Sequence, residues 1–252
     1  MLSAVRWELY KMVKRPGVRL LATFLLGLLI AFSYLLAWAL LTHPPSGMHV
    51  PHGEALLQAK QGLYPQYFVS TAIQQGEIPA SLVLIFGVLA VGSEYEWGTL
   101  KTLLTQRPDR IQALGVKLAA LLVSVAVAAV IYLLVAAGSS LMFAAVDGHS
   151  LTAWPTFSKI VGGYLGLLLI WSFWALFGAT LAILFRQPAL AVGLGLAYMF
   201  AFEGLLLGLG ASFGGDLLHN VEKAFPGANA GSLAMAFGPA PPIRTIGSFL
   251  LL

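Results

Sequence analysis

LAALLVSVAVAAVIYLLVAAGSSLMFAAV, residues 118–146, is the longest uncharged apolar run in the chain, and it decides the fold class. A helix needs about 20 apolar residues to cross the roughly 30 Å of hydrocarbon in a bilayer. This run exceeds that length without one Asp, Glu, Lys or Arg. We therefore expect a membrane-spanning helix here.

Similar runs elsewhere predict a bundle of such helices. Four of them cover residues 18–41, 78–93, 160–185 and 189–213. Residues 243–252 are apolar after Arg244 and predict the first half of a sixth span. The expected fold class is all-α: a polytopic transmembrane helix bundle of six spans, the last incomplete in this chain. A single transmembrane domain is expected over residues 1–252.

Composition agrees with a surface that faces lipid. The chain is 59% hydrophobic and 10% charged, whereas soluble domains carry about 25% charged residues. Too few charges remain to coat a water-facing surface. The chain has no cysteine, which excludes disulfides and thiolate metal sites.

The basic residues predict the orientation. Ten of the 14 Lys and Arg residues fall in the N-terminal segment, in the loop after the second predicted span, and at Arg186. Such a bias marks the cytoplasmic side. We expect a multi-pass protein of a bacterial or archaeal inner (plasma) membrane with a cytoplasmic N-terminus. Residues 42–77 and 214–242 are then outer loops, and all five histidines lie on that side: His43, His49, His52, His149 and His219.

The N-terminal segment has the pattern of an amphipathic helix, with interfacial bounds at residues 1–16. Its apolar side chains recur at helical spacing: Leu2, Val5, Leu9, Met12 and Val13. Its polar positions are basic: Arg6, Lys11, Lys14 and Arg15. Such a helix lies in the cytoplasmic interface with its basic face at the lipid phosphates. The alternative is that these charges only set the topology.

The loop after the second span reads GSEYEWGTLKTLLTQRPDRIQALGVK, residues 92–117. It predicts a short helix with Leu100, Leu103 and Leu104 on one face. Pro108 and Asp109 suit the start of the next helix, because proline fits there and an acidic group favours the positive dipole end. A leucine face exposed to the cytoplasm is a docking surface for a soluble partner, and the alternative is an ordinary polar loop.

This loop resembles the first cytoplasmic loop of type-2 ABC export permeases. The matching positions are Glu94, Gly98-Thr99-Leu100-Lys101, Leu103-Leu104, Pro108, Arg110 and Lys117. The N-terminal segment, with Glu8, Lys11 and Arg15-Pro16, resembles the elbow helix of that family. The short turn at Arg186 also fits.

The resemblance implies a permease subunit that exports its substrate. Two permease subunits, identical or different, would form the pathway above two ATP-binding subunits. Residues 94–117 would form the coupling loop, in which the partner contacts are Glu94, Glu96, Gly98, Thr99, Leu100, Lys101, Leu103 and Leu104. The elbow helix would add Arg6, Glu8, Lys11 and Arg15. The chain has no phosphate-binding G-x-x-x-x-G-K-[ST] sequence, so ATP and Mg²⁺ belong to the partner and no enzymatic activity or cofactor is expected here. Membrane lipids are expected partners and nucleic acid is not.

One ionisable residue, Glu203, lies deep in a predicted span, which makes it a candidate pathway residue. The alternative is a position nearer the surface or at a helix break. Three G-x-x-x-G pairs allow close helix approach: Gly162 with Gly166, Gly204 with Gly208, and Gly210 with Gly214. Trp171, Trp174 and Tyr198 are candidates to line a pathway, and the alternative, favoured for the tryptophans, is a lipid-belt or packing role. No metal site is expected, because Pro51 interrupts the spacing of the outer histidines.

Three other function classes remain as alternatives. An intramembrane enzyme is disfavoured, because no histidine lies in a span and no H-E-x-x-H occurs. A secondary transporter working without ATP usually carries several buried charged groups. A structural subunit of a membrane complex stays open, since a permease-like fold does not itself prove transport.

Overall fold

A computed structural model describes residues 2–43, 60–74, 77–96 and 110–203, together with Leu56. Within these ranges the regular secondary structure is entirely helical. The expected all-α fold class is therefore confirmed for the part of the chain that is described.

The N-terminal third begins with helix α1, Leu2–Lys14, and helix α2, Pro16–Leu28. Pro16 opens α2 because the first position of a helix needs no backbone N–H donor. A π-helix, Leu29–Leu36, follows without a break and leads into α3, Ala37–Thr42. The wider π turn thus interrupts the first span near its middle.

The remaining helices follow in chain order. A 3₁₀ turn, Pro65–Tyr67, leads into α4, Phe68–Gln74. The long helices are α5, Glu77–Glu96, α6, Arg110–Val146, and α7, Phe157–Phe185. Helix α8, Pro188–Leu196, continues into a second π-helix, Ala197–Glu203.

Among the described residues, three helical stretches are long and apolar enough to cross a membrane: Pro16–Thr42, Gln112–Val146 and Phe157–Phe185. Counting Pro65–Gln74 together with Ile78–Gly92 as one broken span gives up to four. The predictions at residues 18–41, 118–146 and 160–185 are thereby confirmed. The fifth predicted span is described only as far as residue 203, and the sixth lies outside the described residues.

The chain divides into two compact units. The first comprises Met1–Thr23, Glu77–Ala128 and Leu168–Ala230, and the second comprises Phe24–Gly76, Ala129–Leu167 and Gly231–Leu252. In the first unit, α5 and α7 cross at two glycines. A Cβ on Gly87 would meet the backbone carbonyl of Ala175, and a Cβ on Gly178 would meet that of Leu84. The two backbones are therefore in direct contact.

In the second unit, a Cβ on Gly163 would collide with the Val69 side chain of α4. Close approach is therefore present at Gly163, which lies between the expected positions Gly162 and Gly166. Helix α4 itself is buried at six successive positions, residues 68–73. The helix therefore packs among its neighbours, which include the first π-helix.

Helix α7 ends in a tight turn. Arg186 takes a φ of 54°, in the left-handed region that stops a helix, and Pro188 then opens α8. The short turn predicted at Arg186 is therefore present.

Candidate coupling region

The inward face of α1 carries a buried carboxylate. Glu8 is only 8% exposed as a residue. Its Oε2 atom lies 2.8 Å from Lys11 Nζ, one turn along the same helix. Its Oε1 atom lies 4.0 Å from Lys117 Nζ in the first third of α6, and the Lys117 side chain is 7% exposed. Because both Glu8 and Lys117 are buried, this ion pair is screened far less than a surface pair.

Further contacts tie α1 to its neighbours. The Arg15 Nη1 atom donates a hydrogen bond of 3.2 Å to the backbone carbonyl of Leu89 in α5. The Ser124 hydroxyl of α6 lies 3.7 Å from the Met12 sulfur and donates to it. Helix α1 therefore contacts α6, and Arg15 at its end contacts α5; these are the helices before and after residues 97–109.

The opposite face of α1 is aromatic and basic. Trp7 is 68% exposed, Tyr10 55% and Val13 63%. The Trp7 and Tyr10 rings meet edge to face with centroids 6.1 Å apart, and Lys14 Nζ lies 5.4 Å from the Tyr10 centroid. Aromatic rings beside basic groups suit the boundary between lipid and water.

This arrangement differs from the predicted apolar stripe. Met12 is 3% exposed and packs inward, whereas Val13 from the same stripe points outward. The buried contacts of Glu8 and Arg15 explain the difference, because they turn the acidic and part of the basic side of α1 towards α5 and α6. Of the four predicted elbow residues, Glu8 and Lys11 form an ion pair, Arg15 bonds to Leu89 of α5, and Arg6 is exposed.

The predicted coupling residues are placed only in part. The backbones of Glu94 and Glu96 form the last turn of α5, which extends beyond the predicted 78–93. Outside the described residues lie the others: Gly98, Thr99, Leu100, Lys101, Leu103 and Leu104. Helix α6 begins at Arg110, where Pro108 and Asp109 predicted a helix start.

Sequence reasoning counts Lys117 among the basic residues that predict the orientation and does not identify its contact with Glu8. A usable signal exists. Lys117 stands alone between the apolar residues Val116 and Leu118 at the beginning of a long apolar run. A lysine in that position requires either a path to water or a paired carboxylate.

Glu203 is the last residue of the second π-helix. The same π-helix carries Tyr198, whose ring lies 5.2 Å from Phe177 and 6.4 Å from Trp174 in α7 between centroids. Trp171 and Trp174 are 1% and 2% exposed. Both tryptophans are thus packing residues, as their sequence context favoured.

A second polar cluster, which the sequence did not predict, surrounds Asp147 just after α6. Trp38 Nε1 donates to Oδ1 at 3.0 Å, the Tyr64 hydroxyl donates to Oδ2 at 3.3 Å, and Lys60 Nζ lies 3.8 Å from Oδ2. Burial, followed by the Asp147 charge and hydrogen bond, raises the pKa of Tyr64 to about 12. The Tyr64 ring stacks on His149 with centroids 4.0 Å apart.

In the described ranges no three His, Asp or Glu residues are grouped as a metal site.

Comparison with known proteins adds the family. The sequence profile of the ABC-2 family transporter proteins matches residues 4–202 of the chain. That range begins in α1 and ends one residue before Glu203, so it includes Glu8, Arg15 and Lys117. No curated protein matches the chain in sequence. Since the match covers most of a helical chain with several membrane-spanning helices, the protein belongs to the ABC-2 family of transporter membrane proteins.

Proposed function

We propose that this chain is the permease subunit of an ABC exporter, and that a separate subunit hydrolyses ATP to drive transport. The family assignment supports a transporter membrane subunit. The sequence of residues 97–109, with its leucine face, supports a docking site for the ATPase. ATP and Mg²⁺ would be bound by that partner.

The observation that carries the proposal is the position of α1. The helix contacts α6 through Glu8 and Lys117, and Arg15, the residue that directly follows it, contacts Leu89 of α5. The segment that would receive the ATPase connects α5 to α6 directly. A displacement of that segment must therefore move helices that α1 holds together, which is the arrangement that mechanical coupling needs.

The remaining assignments follow from the same proposal. The partner contacts are Glu94, Glu96 and the six coupling residues from Gly98 to Leu104, with the elbow residues alongside. Two copies of the ATPase would serve a pair of permease subunits. The N-terminus would be cytoplasmic in an inner (plasma) membrane, and the exposed Trp7 and Tyr10 support an interfacial position of α1. Glu203 is the candidate pathway residue.

The test is an affinity purification of the tagged chain from native membranes in mild detergent, with mass spectrometry of the bound proteins. We expect a soluble ATPase in stoichiometric amount. Leu103→Asp should reduce its recovery at least tenfold, because a charge on the leucine face has to be desolvated against the partner.

The matched control is Thr102→Asp, which adds the same charge to the opposite face of the predicted coupling helix. It should leave ATPase recovery within twofold of the unaltered chain. Equal loss in both variants would contradict the leucine face as the contact. Absence of any ATPase would contradict the exporter and favour a secondary transporter or a structural subunit.

A further inference from the structure

Asp147 joins three separate parts of the second compact unit at one carboxylate. Trp38 belongs to α3 at the end of the first span, Asp147 directly follows α6, and Lys60 and Tyr64 belong to the segment before α4. The Asp147 side chain is 12% exposed. A single buried anion thus holds the segment of residues 60–74 to the ends of two spans.

The two hydrogen bonds and the ion pair at Asp147 all depend on its one charge. The Trp38 indole and the Tyr64 hydroxyl donate to different oxygens of Asp147, so both carboxylate oxygens are needed to keep the two hydrogen bonds. The Lys60 contact, at 3.8 Å, has no direct hydrogen bond. Within the segment, Thr71 donates to the Gly62 carbonyl at 2.7 Å, which joins α4 to the residues that precede it.

The first π-helix is connected to two of the parts that meet at Asp147, namely α3 and the segment that contains α4. It immediately precedes α3 and therefore sets the direction of Trp38. It also packs against α4. Two of its side chains, Ser33 and Tyr34, are fully buried, and among the described residues their hydroxyls have no hydrogen-bond partner. Such unpaired buried hydroxyls disfavour the π conformation relative to one that would pair them.

A π-helix differs from an α-helix by one extra residue in the turn. Conversion to α-helix rotates everything that follows by about one residue, roughly 100°. That rotation would carry the Trp38 indole away from Asp147. Because α4 packs on the same π-helix, its support would change in the same step.

We propose that a latch holds residues 60–74 over the ends of α3 and α6. The latch consists of Asp147, Trp38, Tyr64 and Lys60. Conversion of the π-helix Leu29–Leu36 to α-helix opens it. The closed latch is the state described here. The open latch frees the segment before α4 and exposes the buried face of α4.

The absence of cysteine makes a thiol test direct. Ser70 lies in α4, is 3% exposed and donates to the Tyr67 carbonyl at 2.8 Å. In Ser70→Cys protein reconstituted in lipid nanodiscs, the rate of modification by N-ethylmaleimide reports the open fraction. Adding Asp147→Asn should raise that rate at least tenfold, because an amide cannot accept from both donors and has no charge for Lys60. Trp38→Phe should raise it as well.

The matched control is Ser81→Cys in α5. Ser81 is also buried and donates to a carbonyl three residues earlier, that of Ile78, at 2.7 Å. Its modification rate should be unaffected by Asp147→Asn. An equal rise at both sites would show general loosening and overturn the latch, as would no rise at Ser70→Cys in either latch variant.

The role of the π-helix is tested by Tyr34→Phe. Removing a hydroxyl that lacks a partner in the closed state should favour that state and slow modification of Ser70→Cys severalfold. An unchanged or faster rate would overturn the coupling between the π-helix and the latch. None of these measurements requires an ATPase, so their outcome is separate from that of the proposed exporter function.

Discussion

Burial and the contact with Asp147 together raise the pKa of the Tyr64 hydroxyl. This hydroxyl donates to Asp147 at 3.3 Å in a buried setting, and its pKa rises to about 12 from the usual 10.0. The charged phenolate is disfavoured first by desolvation and then by the nearby carboxylate. The pKa of Tyr64 is therefore a reporter of the latch.

We predict that Tyr64 ionises about two pH units later than a free tyrosine. Since its folded pKa lies above its unfolded value, its contribution to stability is complete below pH 10 and is lost as the pH rises through 12. The measurement is the absorbance at about 295 nm during alkaline titration, taken as the difference between the unaltered chain and Tyr64→Phe. Asp147→Asn should lower the pKa of Tyr64. A Tyr64 step at the ordinary pH in the unaltered chain would contradict the contact.

Lys117 and Glu8 mark the limit of sequence reasoning at this scale. Each has a recognisable context, because a lone charge beside a long apolar run needs a partner. The sequence does not show that Glu8 and Lys117 pair with each other, since 108 other residues separate them. The ion pair is a product of tertiary packing, and periodicity contains no information about it.

At the scale of the element, the crossing of α5 and α7 depends on two glycines. A stripe of small residues on α7, Ala175, Gly178, Ala179 and Ala182, is almost fully buried. Between apolar helices in lipid, such stripes permit backbone contact and good van der Waals packing. The search for pairs of glycines four residues apart overlooked this stripe, because three of its four residues are alanine.

We predict that Gly178→Ala destabilises the protein by about 1–3 kcal/mol, the usual cost of overpacking. The added Cβ would meet the Leu84 carbonyl, and backbone cannot rotate out of the way. Gly138→Ala in α6 is the control, because nothing lies within 4 Å of its added Cβ. It should be neutral or stabilise slightly, since alanine favours helix over glycine. Thermal unfolding in detergent followed by tryptophan fluorescence separates the two, and similar midpoints would contradict the crossing.

The long helices were predictable because membrane crossing demands length and apolarity, and both can be counted in a sequence. The sequence did not show which face of α1 packs against the other helices. Leu2, Val5, Leu9, Met12 and Val13 form an apolar stripe, but Trp7 and Tyr10 provide a second one. Which stripe turns inward is decided by the contacts of Glu8 and Arg15 with α6 and α5. The two π-helices were also missed, because their residues have no composition that distinguishes them from α-helix.

At the scale of the whole molecule, the proposed coupling to an ATPase would depend on the contacts that α1 and Arg15 make with α6 and α5. We predict that Glu8→Gln lowers ATP hydrolysis severalfold per bound ATPase in the purified complex, since Lys117 then loses a buried counter-charge. Lys14→Gln is the control on the exposed face of the same helix and should leave hydrolysis unchanged. Equal loss in both would assign the effect to α1 in general.

Backbone contact between α5 and α7 has a mechanical consequence. Two helices whose main chains touch at Gly87 and Gly178 cannot slide past each other, and Gly195 of α8 is also tight against Leu84. The crossing therefore stiffens the contact between α5 and α7. A displacement applied at the Glu96 end of α5 would be passed on to α8 and the second π-helix rather than absorbed at this crossing.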